Sequence, residues 1–203
     1  MEESALINQA KNGDLNAFNR LVLTYQEQVY NLAYRMLNDE MAAEDISQNT
    51  FISAHKHLRA FRNGSFRAWL LRIAANNCYD ELRRIKRKPT QPLDIFDRDS
   101  GEEIEDPFWL KDSSSLPEEE LERAQLEQAI QLCIDRLPDQ FKAAVIMVDV
   151  QGLGYQEASQ AARAPIGTIR SRLARARQQL QKCLQGFWEL LPEAFRLKNE
   201  SLL

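Results

Sequence analysis

The chain has 203 residues, 44% of them apolar, with seven glycines, seven prolines and a formal net charge of −4. That apolar share suffices for one large or two small cores, no run approaches the roughly 18 apolar residues that cross a bilayer, and no basic flank followed by an apolar stretch marks a secretory signal. The three cysteines, Cys78, Cys133 and Cys183, form no C-x-x-C pair and no even disulfide framework, which favours the reducing cytoplasm.

In chain order, Asp14 is placed to cap a helix carrying Phe18, Leu21, Val22, Tyr25, Val29, Leu32, Ala33 and Met36, an i, i+3, i+4 stripe that faces a core. Asn38 and Asp39 break it. A second helix sets Ile46, Thr50, Phe51, Ala54 and Leu58 inward, with Asp45, Gln48, Asn49 and Ile52 on another side. Gly64 and Ser65 mark a loop, and Ser65 can cap a third helix bearing Phe66, Trp69, Leu70, Ile73, Ala74, Asn77, Cys78 and Leu82. Trp69 continues that apolar stripe and reads as core. The helix runs on into "RRIKRK". These elements form a small helical bundle over residues 1–92.

Charge changes along the chain. Residues 62–88 hold eight Lys/Arg against two acids, a net of +6; residues 93–122 hold twelve acids against two basic residues, a net of −10; residues 163–182 hold six basic residues and no acid. Local fields of this size fit nucleic acid even where the total charge is negative. The stretch 93–117, acidic and rich in turn formers, reads as a flexible linker. Phe96, Phe108, Trp109 and Leu110 are costly in a plain tether and point to docking of the segment.

Residues 118–183 read as helices again. Leu121, Ala124, Leu126, Ile130, Cys133 and Ile134 lie in the first, Pro138 starts a second that Gly152 ends, and "YQEASQAA", a short "RAP" gap and "IGTIRSRLARARQQLQKCL" make a helix-turn-helix. In that motif the second helix enters the major groove. Ile169, Leu173, Ala176 and Leu180 form its inner face. Arg170, Ser171 and Arg175 share an outward arc suited to base edges, while Thr168 and Arg172 suit phosphates. Residues 184–203 form an amphipathic extension through Phe187, Trp188, Leu190, Leu191 and Phe195, for packing on the last domain or for a regulator. The fold class is therefore all-α, two small helical domains joined by an acidic linker.

Three segments carry a resemblance. "AEDISQNTF", "SFRAWLLRIAANNCYDELRRIKRK" and "GYQEASQAARAPIGTIRSRLARAR" occur in the order seen in the extracytoplasmic-function sigma factors of bacterial RNA polymerase, and the chain resembles that sigma-70 subfamily over about residues 15–88 and 120–183. The resemblance implies a cytoplasmic, non-enzymatic specificity subunit that needs no cofactor or metal and does not enter membranes. Its partners would be core RNA polymerase (the clamp helices of the largest subunit and the flap of the second largest), promoter DNA and an anti-sigma factor. Asp45, Gln48, Asn49 and Ile52 would hold the clamp helices. Phe61, Arg62, Asn63 and Ser65 in the loop, with Asn76 and Asp80, would read the opened −10 element, and Arg83, Arg84 and Lys86 would follow its backbone. Thr168, Arg170, Ser171, Arg172 and Arg175 would bind the −35 duplex, and the linker would thread toward the polymerase active-site channel.

The chain departs from the family pattern at Asn49, where Glu is common, and at Arg163, where Gly is common and a positive backbone angle would strain another residue. Ala158, Ala161 and Ala162 stand where larger aliphatics would fill the core, and Gly154 where Ser or Thr would cap. His55 and His57, two apart, diverge on a helix and hold no metal between them. No phosphate loop, nucleophile elbow or H-E-x-x-H occurs. The rival reading is a two-domain helix-turn-helix regulator acting without polymerase, against which the loop and basic helix of 61–88 argue.

Overall fold

A computed structural model describes residues 2–62, 64–87 and 118–192, except the side chains of Glu2 and of residues 118–120. Every regular element among them is helical: α1 Glu2–Lys11, α2 Leu15–Leu37, α3 Glu40–His57, α4 Phe66–Arg87, α5 Glu118–Asp135, α6 Asp139–Val145, α7 Tyr155–Ala162 and α8 Ile166–Leu184. The linker 93–117, Asn63 and residues 193–203 lie outside the described residues.

The first bundle starts where the chain supplies side-chain acceptors for orphan helix N–H groups. Asp14 Oδ1 accepts from Asn16 N at 2.8 Å and Ala17 N at 3.1 Å, Asp39 Oδ1 from Ala42 N at 2.8 Å, and Ser65 Oγ from Ala68 N at 3.1 Å. Asn38 ends α2 in the left-handed region, φ 53°, which Asn adopts more readily than most residues. The stripe read on α2 is the buried one, from Phe18 to Met36. One buried polar contact ties α3 to α4: Asn77 Nδ2 donates to Thr50 Oγ1 at 3.2 Å. Helix α1, which the sequence reading lacks, adds Ile7 and Ala10 to the core. Its Glu3 accepts from the Tyr25 hydroxyl at 2.7 Å.

The second bundle is built from shorter pieces. Helix α6 passes directly into a π-helical turn, Ile146–Val150, and Gly152 closes it at φ +68°. The turn between α7 and α8 keeps its left-handed residue although the position holds Arg163, at φ 48° and ψ 43°. The amide of Ala164 donates to the Ser159 carbonyl at 3.1 Å, and Ser159 Oγ to the Ala164 carbonyl at 2.6 Å. These bonds hold the turn despite its side chain. Gln185–Leu190 forms a 3-10 turn against α5 and α8 and leaves Trp188 57% exposed.

Two features depart from the sequence reading. The cysteine spacing leaves Cys133 and Cys183 unpaired, yet they are bonded, their Cα atoms 5.7 Å apart across 50 residues. The ends of α5 and α8 meet only in three dimensions, so spacing carries no signal of it. Secondly, the two bundles share one continuous buried cluster. Helix α4 is buried on two faces, at Leu70, Ala74 and Cys78 and also at Ala68, Leu71 and Ala75. Besides α2 and α3, α4 packs against α7 of the second bundle. Ala158 and Ala161, both buried, are small enough to admit that close approach.

Polar contacts border the joint. Gln131 Nε2 donates to the Arg35 carbonyl at 3.2 Å and its Oε1 accepts from the Arg35 guanidinium at 3.2 Å. Lys142, buried, bonds Asp135 at 2.8 Å and the Met36 carbonyl at 3.3 Å, so its charge is both paired and hydrogen-bonded. Lys86 reaches Asp139 at 2.7 Å. Arg67 donates to Gln28 and to the Gln151 carbonyl.

Candidate nucleic-acid and polymerase interface

Three surfaces collect the residues that the sequence singled out. On α3, Asp45, Gln48, Asn49 and Ile52 are all exposed. Their steps of three and four put them on one side of the helix, opposite the buried Ala43, Ile46, Thr50 and Ala54. Met41, 80% exposed, extends the stripe by one turn. Its signal was the i−4 spacing from Asp45.

The second surface is the loop before α4 and the outer face of that helix. Arg62 is exposed and Ser65 half-buried. Phe61 is 8% exposed and packs with its ring centroid 5.5 Å from Phe66 and 5.3 Å from Trp69, with the Lys11 ammonium 5.3 Å above it. Its ring is thus part of the floor beneath the loop. Asn76, Asp80, Arg83, Arg84 and Lys86 are exposed along α4. Asp80 pairs with Arg83 at 2.9 Å, and Arg84 with Glu81. Such exposed pairs are worth little and exchange readily for a phosphate. Ser65 and Asn76 lie eleven residues apart, roughly 16 Å along the helix axis. A single base cannot touch both. Arg72, one turn before Asn76, is half-buried and lines a cleft with Arg62, Ser65 and Trp69. Sequence reading passed it over, although its i−4 relation to Asn76 was visible.

Helix α7 stands over this loop. A cleft of about 450 Å3 is lined by Lys11, Arg62, Ser65, Arg67 and, from α7, Glu157. The Ser65 hydroxyl, the Gly154 amide at 3.1 Å and the Arg67 charge hold the Glu157 carboxyl below the usual carboxylate range, the Ser65 bond contributing most. Gln160 Oε1 lies near Gly64, 3.7 Å from where a Cβ would stand. An acid and an amide therefore occupy the mouth of a basic and hydroxyl-bearing loop.

The third surface is α8. Ile169, Leu173 and Ala176 are buried, while Arg170, Ser171 and Arg175 are exposed and Thr168 and Arg172 half-buried. Arg170 lies over the Tyr155 ring, 5.6 Å from its centroid, a contact that restrains a long side chain. Arg177 grips Asp149 with two bonds of 3.0 and 2.6 Å. Asp149 raises the Arg177 pKa further through its bonds and its charge, with Tyr155 adding to it. Arg177 is thereby committed to bracing α8 against the π-helical turn. Arg175 has no such partner among the described residues. Arg172 lies close enough to Tyr79 of α4 for its charge to pull that hydroxyl's pKa down, against the larger upward effect of burial. Among the described residues no helix is long and apolar enough to cross a membrane.

A family model described as sigma-70 region 2 matches residues 21–88, and one described as sigma-70, region 4 matches residues 127–180. The chain is similar to the RNA polymerase sigma-H factor of Pseudomonas aeruginosa, 35% identical over 185 residues that cover 91% of this chain and 94% of that protein. It is 34% identical to the ECF RNA polymerase sigma factor SigW of Bacillus subtilis, covering 88% of this chain and 95% of that one. Among solved structures it resembles the sigma factor RpoE in complex with the anti-sigma factor NepR from Bartonella quintana, with a TM-score of 0.62, 25% identity, and coverage of 84% of this chain and 98% of that chain. CnrH, in complex with the cytosolic domain of CnrY, shares the fold at a TM-score of 0.66 and 21% identity over 92% of this chain and 99% of that chain.

Proposed function

The chain belongs to the extracytoplasmic-function branch of the sigma-70 family, and on that premise we propose that it is a dissociable specificity subunit of RNA polymerase that directs initiation at its own promoters. It performs no chemistry of its own and works in the cytoplasm, where the polymerase and the chromosome are. The observation that carries this reading is α8: an apolar face seated in a helix-turn-helix, and an opposite face of unpaired or aromatic-braced arginines.

In this reading Arg170, Ser171 and Arg175 face base edges of the −35 duplex, and Thr168 and Arg172 its phosphates. The loop residues Arg62, Asn63 and Ser65 receive unstacked −10 bases over the aromatic floor of Phe61. Asn76 and Asp80 meet nucleotides further along, and Arg83, Arg84 and Lys86 track the backbone. Arg72 joins that track. The clamp helices of the largest polymerase subunit dock on Met41, Asp45, Gln48, Asn49 and Ile52, and the flap of the second largest on residues 118–183. The acidic linker runs toward the active-site channel.

A single promoter presents the two elements apart. Glu157 and Gln160 must therefore leave the loop, and Arg172 must leave Tyr79, before both can be read. An anti-sigma factor that holds the two bundles together would keep the chain silent. The 25%-identical RpoE is in complex with an anti-sigma factor, which supports control of this chain by such a protein.

The test is reconstitution with core polymerase on a panel of single-base −35 variants at two salt concentrations. Arg175→Ala is expected to cost about 1–3 kcal/mol and to relax preference at one base position. Arg172→Ala should weaken every variant alike and lower the salt slope by about one. Specific DNA binding by the free chain, with no promoter-specific transcript when core is added, would instead make it a polymerase-independent regulator.

A further inference from the structure

Cys133 ends up in the last turns of α5 and Cys183 in the last turn of α8, joined to each other. Nothing in promoter reading or polymerase docking uses these sulfurs. Their surroundings are unequal. Cys133 is 1% exposed. Cys183 is half-buried and borders solvent, and the Arg136 guanidinium nitrogen Nη1 lies 3.8 Å from its Sγ. A neighbouring guanidinium favours thiolate over thiol, and the thiolate is the form that attacks disulfides. A reactive, reachable sulfur thus sits beside a sheltered one at bonding distance. Disulfides in reducing compartments are characteristically transient and redox-sensing.

We propose that Cys133 and Cys183 form a redox-active dithiol–disulfide pair, opened and closed within the folded chain by exchange with small-molecule disulfides, with Cys183 as the attacking sulfur. In the closing direction the Cys183 thiolate attacks one sulfur of R–S–S–R. It forms the mixed disulfide Cys183–S–S–R and releases RS−. The Cys133 sulfur, giving its proton to solvent, then attacks Cys183 Sγ and releases the second RS−. The chain loses two electrons, and the small disulfide gains them as two thiolates. An excess of small thiol runs the steps in reverse.

The position of the bond gives it consequences. It closes a loop that holds α6, α7 and nearly all of α8, which is the whole helix-turn-helix. Cross-linking residues 50 apart restricts the unfolded chain. Two residues from Cys133, Gln131 makes the bonds to Arg35 that seat this bundle on the first. The staple therefore ties α5, which carries the joint, to α8, the recognition helix.

The full-length reduced chain, treated in its native state with 5,5′-dithiobis(2-nitrobenzoate), tests this without any variant. Wild type should release two thionitrobenzoate ions and retain no adduct by mass. Cys78 is an internal control: it is fully buried, and burial pushes its thiol up to about 12. Cys133→Ser should release one ion and keep one adduct, and Cys183→Ser should react at least tenfold more slowly. Arg136→Gln should slow the wild-type reaction several-fold while leaving its two-ion stoichiometry intact. The oxidised wild type should melt about 10 °C above the reduced form. Retention of an adduct by wild type, equal rates in the two serine variants, or closure only after denaturation would each overturn the proposal. Equal melting points would remove the staple.

Discussion

The two bundles reach a folded state by different means. Residues 2–87 use long helices with side-chain caps at Asp14, Asp39 and Ser65. Their core includes Leu21, Leu32, Met36, Leu58 and Leu70, each no more than 2% exposed. Residues 118–192 use shorter helices. Those after Pro138 and Pro165 begin without a side-chain acceptor, and α7 begins at Gly154. Their non-glycine left-handed residue is Arg163, where the first bundle uses Asn38, a residue that adopts that region more readily. The second bundle is the less self-sufficient, and it leans on the first through α7 against α4 and on itself through the Cys133–Cys183 bond.

Core truncation breaks this comparison most strongly. Leu70→Ala should cost about 3–4 kcal/mol, because long, well-capped helices cannot close on the cavity. Leu173→Ala should cost about 2–3 kcal/mol, because short helices around small residues can. Urea denaturation of both variants measures the difference, and a larger loss at Leu173 would reverse the ranking of the two bundles.

Helix ends sharpen it at about 1 kcal/mol. Asp14→Ala removes a filled cap and should destabilise by about that much. Arg163→Gly should stabilise by about 0.5–1 kcal/mol, since glycine adopts φ 48° without steric cost. Thermal midpoints of the two variants should move in opposite directions. A drop for Arg163→Gly would mean that the side chain contributes more than its backbone costs.

The smallest effect is one of pH. The folded chain holds the Glu157 carboxyl low, first through Ser65. Its contribution is therefore present above the usual carboxylate pKa and lost as pH falls through the lower folded value. The stability gap between wild type and Glu157→Gln should be constant near neutrality, begin to shrink as pH reaches the usual carboxylate range at about pH 4, and vanish only below the lower folded value. A gap unchanged by acid would mean that Glu157 is not ionised in its contact with Ser65.

Sequence by itself determined the helical class, the stripe on α2, the cap residues and the split of α8 into an apolar face and an arginine face. All of these are local: a period of 3.6 and the reach of a side chain to an amide three residues on are written in neighbouring positions. The exposed stripe on α3 was legible for the same reason, as the remainder once the core positions were assigned. The left-handed turn at Arg163 was suggested only by the resemblance, whose members often have Gly there, and it is kept although propensity argued against it. What only tertiary structure decided involves residues distant in the chain. Ala68, Leu71 and Ala75 give α4 a second buried face, and α7 packs against α4. Glu157, in the first turn of α7, sits over the loop before α4. Phe61 looked like an exposed platform and proves to be its floor. Cys133 and Cys183, 50 residues apart, look unrelated until α5 and α8 end side by side. Periodicity reports which face of a helix is buried, but the identity of what covers it depends on long-range packing, which carries no fixed spacing along the chain.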